Sequence, residues 1–600
     1  MHQIKKNMKK NLLINLLLLS LFGFNQSNAQ NPFKFLKVNY VGAMGTEDWT
    51  KGWANWNPEQ TSYPSVTETI TLNAATTGSS GYLNITGTVK LDSTKVYLLT
   101  GIIYIKNGGS LIIPAGTIIR CEGNSSATPA NWATILVQRG GKIISRGTKN
   151  APVVFTSNKS AGLRKPGDWG GIILLGKSVN NAPGAQSNCP TCIKGEAIIE
   201  GPFGTEGIFG GSDDADNSGV LSFTRIEFPG LVFSPNNEIN GLTLGSVGYN
   251  TTIRNVQVSF SNDDAFEWFG GTVNTKYIIS YKTTDDDFDT DFGYRGMNQF
   301  GIGFKDSIHF DQTWGAPSGS STSEGFESDN DATGSTLKPK TMPVFSNYTM
   351  VGPYAVGETF GMHSSTVKSA YRRGARIRRN SGQTIMNSIF MGYRNGIMID
   401  GSATEKVANV TTPAADCDTL EFRSNIFLGM TATASATANG IIEVASGRDT
   451  AALYAWFNSS NNRINPVAWA SGTLLTNPNN YANPDFLPVN NSPALSGADF
   501  SNCKFSGITE LKAKASDRYI QSLNLYPNPS SGKVNIDINL SNSQLLNISI
   551  FTIDGKVVRN FSDIFSKGSS VFTFDGLNKG LYIVKIGGTN FEKNIKLLIN

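Results

Sequence analysis

Hydrophobic and polar positions in the middle of this chain repeat with a fixed period. Two acidic runs of the same pattern begin at Asp263 and Asp285, which are 22 residues apart. The apolar segments ahead of them, Val256–Val258 and Ile278–Ser280, match in kind. A fixed period of about this length is typical of a solenoid, in which each repeat forms one coil stacked on the last. The spacing therefore predicts a parallel β-helix.

Short β-branched runs cut by glycine extend this prediction along the chain. Gly108–Thr117 is echoed by Gly140–Thr148, and Ile385–Phe390 has the same character much later. Such runs are typical of buried strands that meet at corners. We predict an all-β chain with a right-handed parallel β-helix over 92–510, from which a loop protrudes around 177–200.

The C-terminal part of the chain has a different pattern. Val534, Ile536 and Ile538 alternate with polar residues, which predicts strands with one buried and one solvent-exposed face. Turn signals separate several runs of this kind, as in a sandwich of short strands. We therefore predict a linker at 511–521 and a small Ig-like β-sandwich at 522–600.

The segment 30–91 is predicted to cap the first coil, because the exposed edge of a stacked sheet invites aggregation unless it is covered. It contains Trp49, Trp53 and Trp56, which are spaced by four and three residues. The three rings can form the core of this cap or a platform for a sugar ring. The sequence leaves both interpretations open.

The N-terminus has the pattern of a secretory signal peptide. Four lysines precede an apolar stretch from about Leu12 to Phe24, and the small-x-small pattern of Ser27–Ala29 follows. The apolar stretch of 13 residues is too short for a bilayer-spanning helix, which needs ~20 residues. We predict that 1–29 is a cleaved signal peptide and that the mature chain is exported and has no transmembrane segment.

Composition excludes one class of partner. The formal net charge is +5, and only 16% of the residues are charged. The predicted signal peptide contains four lysines and no acidic residue, which leaves +5 − 4 = +1 for the remainder. A nucleic-acid partner would require a strongly basic face, so we expect none.

Four short motifs near the C-terminus occur in a fixed order: Tyr526–Pro529, Gly532–Val534, Ile553–Val558 and Leu577–Tyr582. Together they resemble the type A sorting domain of the type IX secretion system over about the last 80 residues. The resemblance implies a cargo of the Bacteroidota type that crosses the outer membrane. It also implies the type IX secretion machinery as a partner and a secreted or surface-attached protein.

Motifs in the central segment resemble a second group of proteins. Asp216–Leu221, Glu238–Leu242, Asp263–Gly271 and Gly325–Asn330 are similar to segments of exported bacterial pectin-lyase-like β-helix proteins. This resemblance strengthens the prediction of the fold. It adds little about activity, because the group is functionally diverse.

Acidic residues are concentrated where the repeat is clearest. Eight of them lie close together: Asp263, Asp264, Glu267, Asp285, Asp286, Asp287, Asp289 and Asp291. A third run, Phe326–Asp329, matches Phe288–Asp291 in type. In stacked coils equivalent residues lie ~4.8 Å apart, where two carboxylates repel by ~3.5 kcal/mol at an effective dielectric constant of 20. Several such pairs oppose folding unless protons or a cation lie between them.

These eight residues are therefore predicted to be metal ligands. Hard oxygen ligands in a flexible cluster favour Ca²⁺ over Zn²⁺, and Ca²⁺ is the predicted cofactor. The alternative interpretation is a solvated acidic ridge whose side chains splay apart.

The acidic runs are also similar to the calcium-binding run of one β-helix pectate lyase family. That resemblance implies a bound Ca²⁺ that acidifies the C5 proton of a uronate, and a lysine that removes it. Lys276, Lys282 and Arg295 are candidate bases, and the sequence does not select one of them. Ala265 and Asp287 stand where the family has glycine, which weakens the resemblance.

Cys189 and Cys192 have the spacing of a redox motif, but they lie in a loop rich in glycine, proline and serine with no helix after it. We predict a local disulfide within this loop.

A basic stripe follows later in the chain and consists of Arg372, Arg373, Arg376, Arg378 and Arg379. A solvated ladder is the default prediction for these arginines, and a site for an acidic polysaccharide is the alternative.

Two functions are consistent with the sequence. The first is a secreted or cell-surface β-helix protein that binds glycans or other surface components, is stabilised by calcium and has no catalytic activity. The second is a calcium-dependent uronate lyase. The sequence contains no defensible catalytic set, so it does not decide whether the protein is an enzyme.

Overall fold

The computed structural model describes the following residues: 33–69, 83–123, 132–234, 237–310, 322–354, 370–410, 419–430, 441–464, 474–505, 520–540, 543–553, 556–588 and 591–600. The predicted signal peptide and most of the predicted linker lie outside them. The chain divides into two compact units, the first mainly over 39–507 and the second mainly over 508–600.

The first unit is built from short strands. In the first coils they are β1 Glu68–Thr69, β2 Leu83–Ile85, β3 Thr88–Lys90, β4 Val96–Thr100, β5 Ile102–Ile105, β6 Ser110–Ile113, β7 Ile118–Glu122, β8 Thr134–Val137, β9 Lys142–Arg146, β10 Val153–Ser157 and β11 Gly171–Leu175. The central strands are β12 Ala197–Ile198, β13 Ile208–Phe209, β14 Gly219–Glu227, β15 Val232–Ser234, β16 Asn237–Glu238, β17 Leu242–Val247, β18 Thr252–Ser259, β19 Phe266–Gly271, β20 Asn274–Tyr281, β21 Phe288–Asp291, β22 Met297–Phe304, β23 Phe326–Ser328 and β24 Val344–Val351.

The later elements of this unit include two α-helices. The strands are β25 Arg373–Ile377, β26 Thr384–Met386, β27 Ile389–Met391, β28 Asn395–Ile399, β29 Phe422–Arg423, β30 Ile426–Leu428, β31 Arg463–Ile464, β32 Leu475–Asn477 and β33 Asp485–Pro488. The helices are α1 Ser402–Val407 and α2 Thr450–Asn458. In the described ranges, no helix combines the length and the apolar character that crossing a membrane requires.

Parallel pairing stacks these strands into a β-helix. Among the described residues, 17 strands form one sheet and ten strands form another, ordered β2-β5-β8-β11-β17-β19-β21-β23-β25-β28. The register pairs Val256 with Ile278 and Phe266 with Phe288, which is the 22-residue offset of the two acidic runs. The predicted fold is therefore confirmed, and parallel pairing already begins with β1, ahead of the predicted start at residue 92.

The long central strands of the 17-strand sheet each contain one non-glycine residue with positive φ, and in the two later coils such a residue separates two short strands. These residues are Phe223, Asn255, Tyr277, Phe300, Asn347, Asn387 and Ser424, and the register stacks them in one column. Asparagine tolerates this left-handed conformation, whereas an aromatic residue there needs support from its surroundings. The column therefore requires packing from outside the coils.

The N-terminal segment supplies this packing along the side of the β-helix. Trp53 packs edge-on against Phe223, and Trp49 packs against Tyr277 with ring centroids 5.3 Å apart. Further along the stack, the N–H of Gly42 donates to the carbonyl of Asn387, one of the residues with positive φ. Gly42 itself has a φ of 90°, and a Cβ at this position would clash with the side chain of Ile389. These contacts, in which Trp53 is buried and Trp49 half-buried, lie at the side of the stack, whereas the sequence led us to expect a cap over its first coil.

Helix α2 covers the last coils. Phe457 lies 5.2 Å from Phe427, and Trp456 lies 6.4 Å from Phe422, measured between ring centroids. A helix over the end of a stacked sheet removes an edge that could pair with another chain.

The second unit consists of antiparallel strands, as predicted for a sandwich. They are β34 Ile520–Tyr526, β35 Val534–Leu540, β36 Gln544–Thr552, β37 Val557–Phe565, β38 Gly568–Phe574, β39 Gly580–Gly588 and β40 Phe591–Ile599. One sheet contains β34, β35 and β38, and the other contains β37, β36, β39 and β40. Val534, Ile536 and Ile538 are buried in the core of this unit, as their alternation predicted.

Candidate functional site

A column of carboxylates lies just before the ten-strand sheet. The register of β19, β21 and β23 places Asp264, Asp286 and Glu324 at equivalent positions, two residues ahead of these strands. Asp264 Oδ1 accepts a hydrogen bond from the N–H of Asp286 at 2.8 Å, and Asp286 Oδ1 accepts one from the N–H of Glu324 at 2.5 Å. We call these three residues the carboxylate ladder, because each satisfies a backbone donor of the next coil.

A second row of charged side chains points outwards from the same strands. Glu267 lies between Phe266 and Trp268, which are both fully buried in the core. Since side chains of a strand alternate between its two faces, Glu267 is directed away from the core. The register stacks it on Asp289 and then on Glu327. Acidic residues of successive repeats thus lie above one another.

Five of the eight predicted metal ligands come together. Carboxylate oxygens of Asp263, Asp264 and Asp285 lie within 4.8 Å of one another, and so do those of Asp264, Glu267 and Asp289. We call these five residues the acidic group. Asp264 and Glu267 are buried, whereas the other three are half-buried. The group can therefore hold a metal ion that is still reachable from solvent.

An amide side chain of the preceding coil extends this group. Asn240 is 1% exposed and donates from Nδ2 to Glu267 Oε2. Among the described residues, no donor reaches the buried Oδ1 of Asn240. A buried polar oxygen without a partner is costly, and a cation would satisfy it. Carboxylates with an amide oxygen are the ligands that hard cations prefer.

Burial and mutual repulsion raise the pKa values of these carboxyls. Burial raises the pKa of Asp264 well above its usual value, and the charge of Asp286 adds to the shift. Burial likewise raises the pKa of Glu267. Burial, followed by the charge of Asp329, raises the pKa of Asp289 to about 7. The folded protein therefore favours protons or a cation among these side chains.

The other three predicted ligands have different surroundings. Asp286 is held in the carboxylate ladder. Asp287 is fully buried and accepts a hydrogen bond from the hydroxyl of Ser280 at 2.5 Å, while Lys305 Nζ lies 3.6 Å away. Burial raises the pKa of Asp287 to about 6. Asp291 Oδ1 accepts from the next backbone N–H at 2.5 Å. None of these three lies within the described sets of convergent carboxylates.

Arginines neutralise the last carboxylate of the carboxylate ladder, Glu324, and the last carboxylate of the outward-pointing row, Glu327. Arg373 donates from its N–H and from Nη1 to Glu324, at 2.9 and 2.5 Å. Arg378 binds Glu327 and also Asp329, the latter at 2.8 Å. All five arginines of the stripe make ion pairs: Arg372 and Arg373 with Glu443, Arg376 with Asp400, and Arg378 and Arg379 with Asp329. The stripe is therefore an ion-paired ladder in which Arg373 is buried, Arg379 is exposed and the other three arginines are half-buried.

The protruding loop covers the outer face of the first coils. Its apolar residues pack on outward side chains of β5, β8 and β11: Ala197, Ile199, Phe203 and Phe209 contact the cluster of Tyr104, Leu136 and Ile173. Within the loop, Cys189 and Cys192 are joined by a disulfide. The outer face of the ten-strand sheet thus has a covered part, an acidic part and an arginine-paired part.

The three candidate bases have partners outside the acidic group. Lys276 Nζ donates to a backbone carbonyl of the N-terminal segment at 2.7 Å, and burial lowers its pKa to about 8. Lys282 Nζ lies 3.5 Å from Asp306. Arg295 Nη2 lies 3.1 Å from Asp214. None of these contacts is with a residue of the acidic group.

Comparison with protein families accounts for the stacked coils and the sandwich. Residues 83–472 match the family described as a pectate-lyase-like β-helix domain. The chain belongs to the pectate-lyase-like β-helix family. This match confirms the resemblance that the central motifs carried.

The sandwich of this β-helix protein matches a second family. Residues 524–600 match the secretion system C-terminal sorting domain, which confirms the resemblance to the type IX sorting domain. The protein is therefore an exported β-helix protein of the cell surface or the extracellular space, and its sorting domain interacts with the type IX secretion machinery.

Two solved structures are similar to this family member. One is the full-length tailspike protein 2 of an Escherichia coli O157:H7 bacteriophage, with 10% identity, a TM-score of 0.22, and coverage of 84% of this chain and 65% of the tailspike. The other is the enzymatically active domain of tailspike protein 2 of bacteriophage CBA120, with 11% identity, a TM-score of 0.20, and coverage of 84% and 72%. Similarity at this level carries no functional argument. No curated protein matches the chain at a significant level.

Two residues of the site were missed by sequence reasoning. Asn240 and Glu324 each lie two residues before a strand of the ten-strand sheet, as Asp264 does. Aligning the chain on these strand starts would have found both. The sequence aligned Phe326–Asp329 with Phe288–Asp291, and the register confirms that alignment, but the comparison was not extended to the positions ahead of the strands.

Proposed function

We propose that this protein is a non-catalytic β-helix protein of a Bacteroidota-type bacterium that binds Ca²⁺ in its acidic group and binds glycans or other surface components. The observation that carries the calcium proposal is the convergence of Asp263, Asp264, Glu267, Asp285 and Asp289. The unpartnered Oδ1 of Asn240 supports it. Oxygen ligands of this kind, on adjustable turns, suit Ca²⁺ better than the rigid octahedron of Mg²⁺.

In this proposal the metal ion stabilises the stack of coils. It would be held by carboxylates of two successive coils, and it would offset the repulsion between them. The role is structural because the candidate bases Lys276, Lys282 and Arg295 have other partners. The covered first coils and the arginine-paired late coils leave the outer face of the ten-strand sheet with little open surface for a polymer.

Titration calorimetry with Ca²⁺ and with Mg²⁺ tests the metal site. We expect saturable Ca²⁺ binding by the wild type and a large loss of affinity in Asp264→Asn, because Asp264 belongs to both carboxylate sets. Asp485→Asn is a matched control, since its carboxylate accepts a local N–H at 3.0 Å that an amide oxygen can also accept. Equal binding of both ions, or no effect of Asp264→Asn, would refute the calcium site.

The second candidate function is a calcium-dependent uronate lyase. One observation favours it: Asp263, Asp285 and Asp289 are half-buried, so a bound ion could also contact a ligand. The ultraviolet absorbance of unsaturated products distinguishes the two functions when uronate polymers are supplied with Ca²⁺. We expect no turnover. Sustained turnover that is lost in Asp285→Ala would establish the lyase.

For the export route we propose that 1–29 is removed as a signal peptide, that 30–91 and 92–510 form the N-terminal region and the β-helix, and that 511–521 links them to the sorting domain at 522–600. Deleting 523–600 should leave the protein in the periplasm of a host with this secretion system. Fractionation and immunoblotting measure this, and a normal extracellular level of the truncated protein would contradict the proposed route.

A further inference from the structure

A cleft of about 930 Å³ lies beside β22, β24 and helix α1, within the first unit. Its apolar lining includes Met297, Met342, Val344 and Val407. Volumes of this size are typical of sites that bind small molecules or short segments of polymers. None of the residues of the acidic group lines this cleft.

The charged residues that line the cleft are all basic: Arg295, Lys338, Lys340, Lys406 and Lys504. Arg295 is paired with Asp214, and Lys340 donates to Asn380 Oδ1 at 2.7 Å. Asn380 is 6% exposed and is itself fixed by a hydrogen bond from Nδ2 to a backbone carbonyl at 2.6 Å. We call this surface the basic cleft.

The lysines of the basic cleft differ from the arginine stripe in their partners. No described carboxylate lies within ion-pair distance of Lys338, Lys340 or Lys406, whereas every arginine of the stripe has one. Burial, followed by the charge of Lys338, lowers the pKa of Lys340. Cations that converge on a concave surface attract anions and raise their local concentration.

The lining of the basic cleft comes from several successive coils. The register pairs Met297 with Val344 and Val344 with Thr384, so the apolar lining and Asn380 come from three successive coils. Thr419, which precedes β29 in the next coil, also lines it. With strands ~4.8 Å apart, four coils span ~14 Å. A linear ligand with several anionic groups could contact residues of all four coils.

We infer that the basic cleft binds an acidic glycan that carries sulfate or carboxylate groups. This inference rests on the proposed glycan-binding function and assigns to it a place and a ligand class. Lys338 and Lys406 are exposed and would contact the anionic groups, while the apolar lining would contact the faces of the sugar rings. The sequence had assigned such a ligand to the arginines as its minority alternative.

Binding measurements with immobilised polymers test the inference. The ligands are dextran sulfate, polygalacturonate and uncharged dextran, and vesicles with phosphatidylglycerol are included as an anionic lipid surface. The variants are Lys338→Gln/Lys406→Gln and, as a matched control, Lys149→Gln/Lys194→Gln. The control removes the same charge from exposed lysines outside the cleft.

We expect the wild type and the control to bind one or both acidic polymers. The cleft variant should bind about tenfold more weakly, because it lacks two exposed ion pairs with the ligand, each of modest strength. Equal weakening in both variants would show a general charge effect and overturn the inference. Preference for the vesicles over both polymers would also overturn it. If the protein bound uncharged dextran and neither variant weakened that binding, the inference of an acidic ligand would be overturned. The proposed glycan-binding function would still stand. If the protein bound none of the polymers, both the inference of an acidic glycan and the proposed glycan-binding function would be contradicted.

Discussion

Two parts of the ten-strand sheet stack carboxylates in register, and they neutralise the charge differently. In the coils of Glu324 and Glu327, arginines of the following coil bind each carboxylate. Asp264 and Asp286 instead accept backbone N–H groups of the next coil, and an oxygen of Asp264 lies close to those of other carboxylates. The same sheet thus has one part whose carboxylates are neutralised by arginines and one part whose carboxylates need protons or a cation. Stability in the two parts should respond to different perturbations.

The largest effect is expected in the arginine-paired part. In Arg373→Met, Glu324 would remain buried without its counter-ion, since the two side chains are 2% and 0% exposed. Breaking a buried pair in this way costs about 3–5 kcal/mol. Urea denaturation should show this loss.

The double variant Arg373→Met/Glu324→Gln provides the control. It removes both charges and keeps an acceptor for the backbone N–H that Glu324 binds. We expect it to recover much of the lost stability. A single variant as stable as the wild type would mean that solvent reaches Glu324, and the contrast between the two parts would then disappear.

The next effect is expected in the acidic part. Ca²⁺ that binds only the folded protein should stabilise it by about 2.7 kcal/mol when its free concentration is 100 times the dissociation constant. Thermal melts with chelator, Mg²⁺ and Ca²⁺ measure this. The rise should saturate with Ca²⁺ and should be largely absent in Asp264→Asn, but present in Asp485→Asn.

A solvated acidic ridge predicts the opposite result. Asp264→Asn would then raise the melting temperature without any metal, and Ca²⁺ would act no more strongly than Mg²⁺ at equal ionic strength, because screening acts on exposed charges generally. Arg373→Met should leave the response to Ca²⁺ unchanged if the two parts are independent.

The extent to which the sequence predicts these features depends on how regular the repeat is. The 22-residue offset correctly placed Phe266 on Phe288, because adjacent coils without insertions keep their register. Arg378 and Asp329 are 49 residues apart in the sequence, so their pairing was hidden by an insertion between coils. The position of Trp49 and Trp53 along the side of the stack was also hidden, because an irregular segment has no periodicity that could place it.

The pH dependence provides a third test of the acidic part. The folded pKa values of Asp264 and Asp286 are raised well above the usual value, by burial first in both cases, and that of Asp289 is raised to about 7. A carboxyl with a raised folded pKa binds more protons in the folded state than in the unfolded state. Stability without metal should therefore fall as the pH rises from about 4 towards 7 and above.

Each proton involved contributes at most about 1.4 kcal/mol per pH unit. Chemical denaturation in chelator at several pH values measures the slope. Saturating Ca²⁺ should flatten it, since a bound cation replaces the protons. A stability that rises through this pH range in chelator would show that the acidic group is ionised and well solvated in the folded protein.

The smallest effect is expected at the exposed end of the arginine-paired part. Arg379 donates from Nη1 to Asp329 at 2.7 Å, but its side chain is 42% exposed, and Asp329 also binds Arg378. An exposed ion pair contributes ~0–1 kcal/mol, so Arg379→Ala should lower stability by less than about 1 kcal/mol, and added salt should reduce the difference further. Urea denaturation beside Arg373→Met makes the comparison direct. If Arg379→Ala lowered the free energy of unfolding as much as Arg373→Met does, burial would not be what separates strong from weak ion pairs in this sheet.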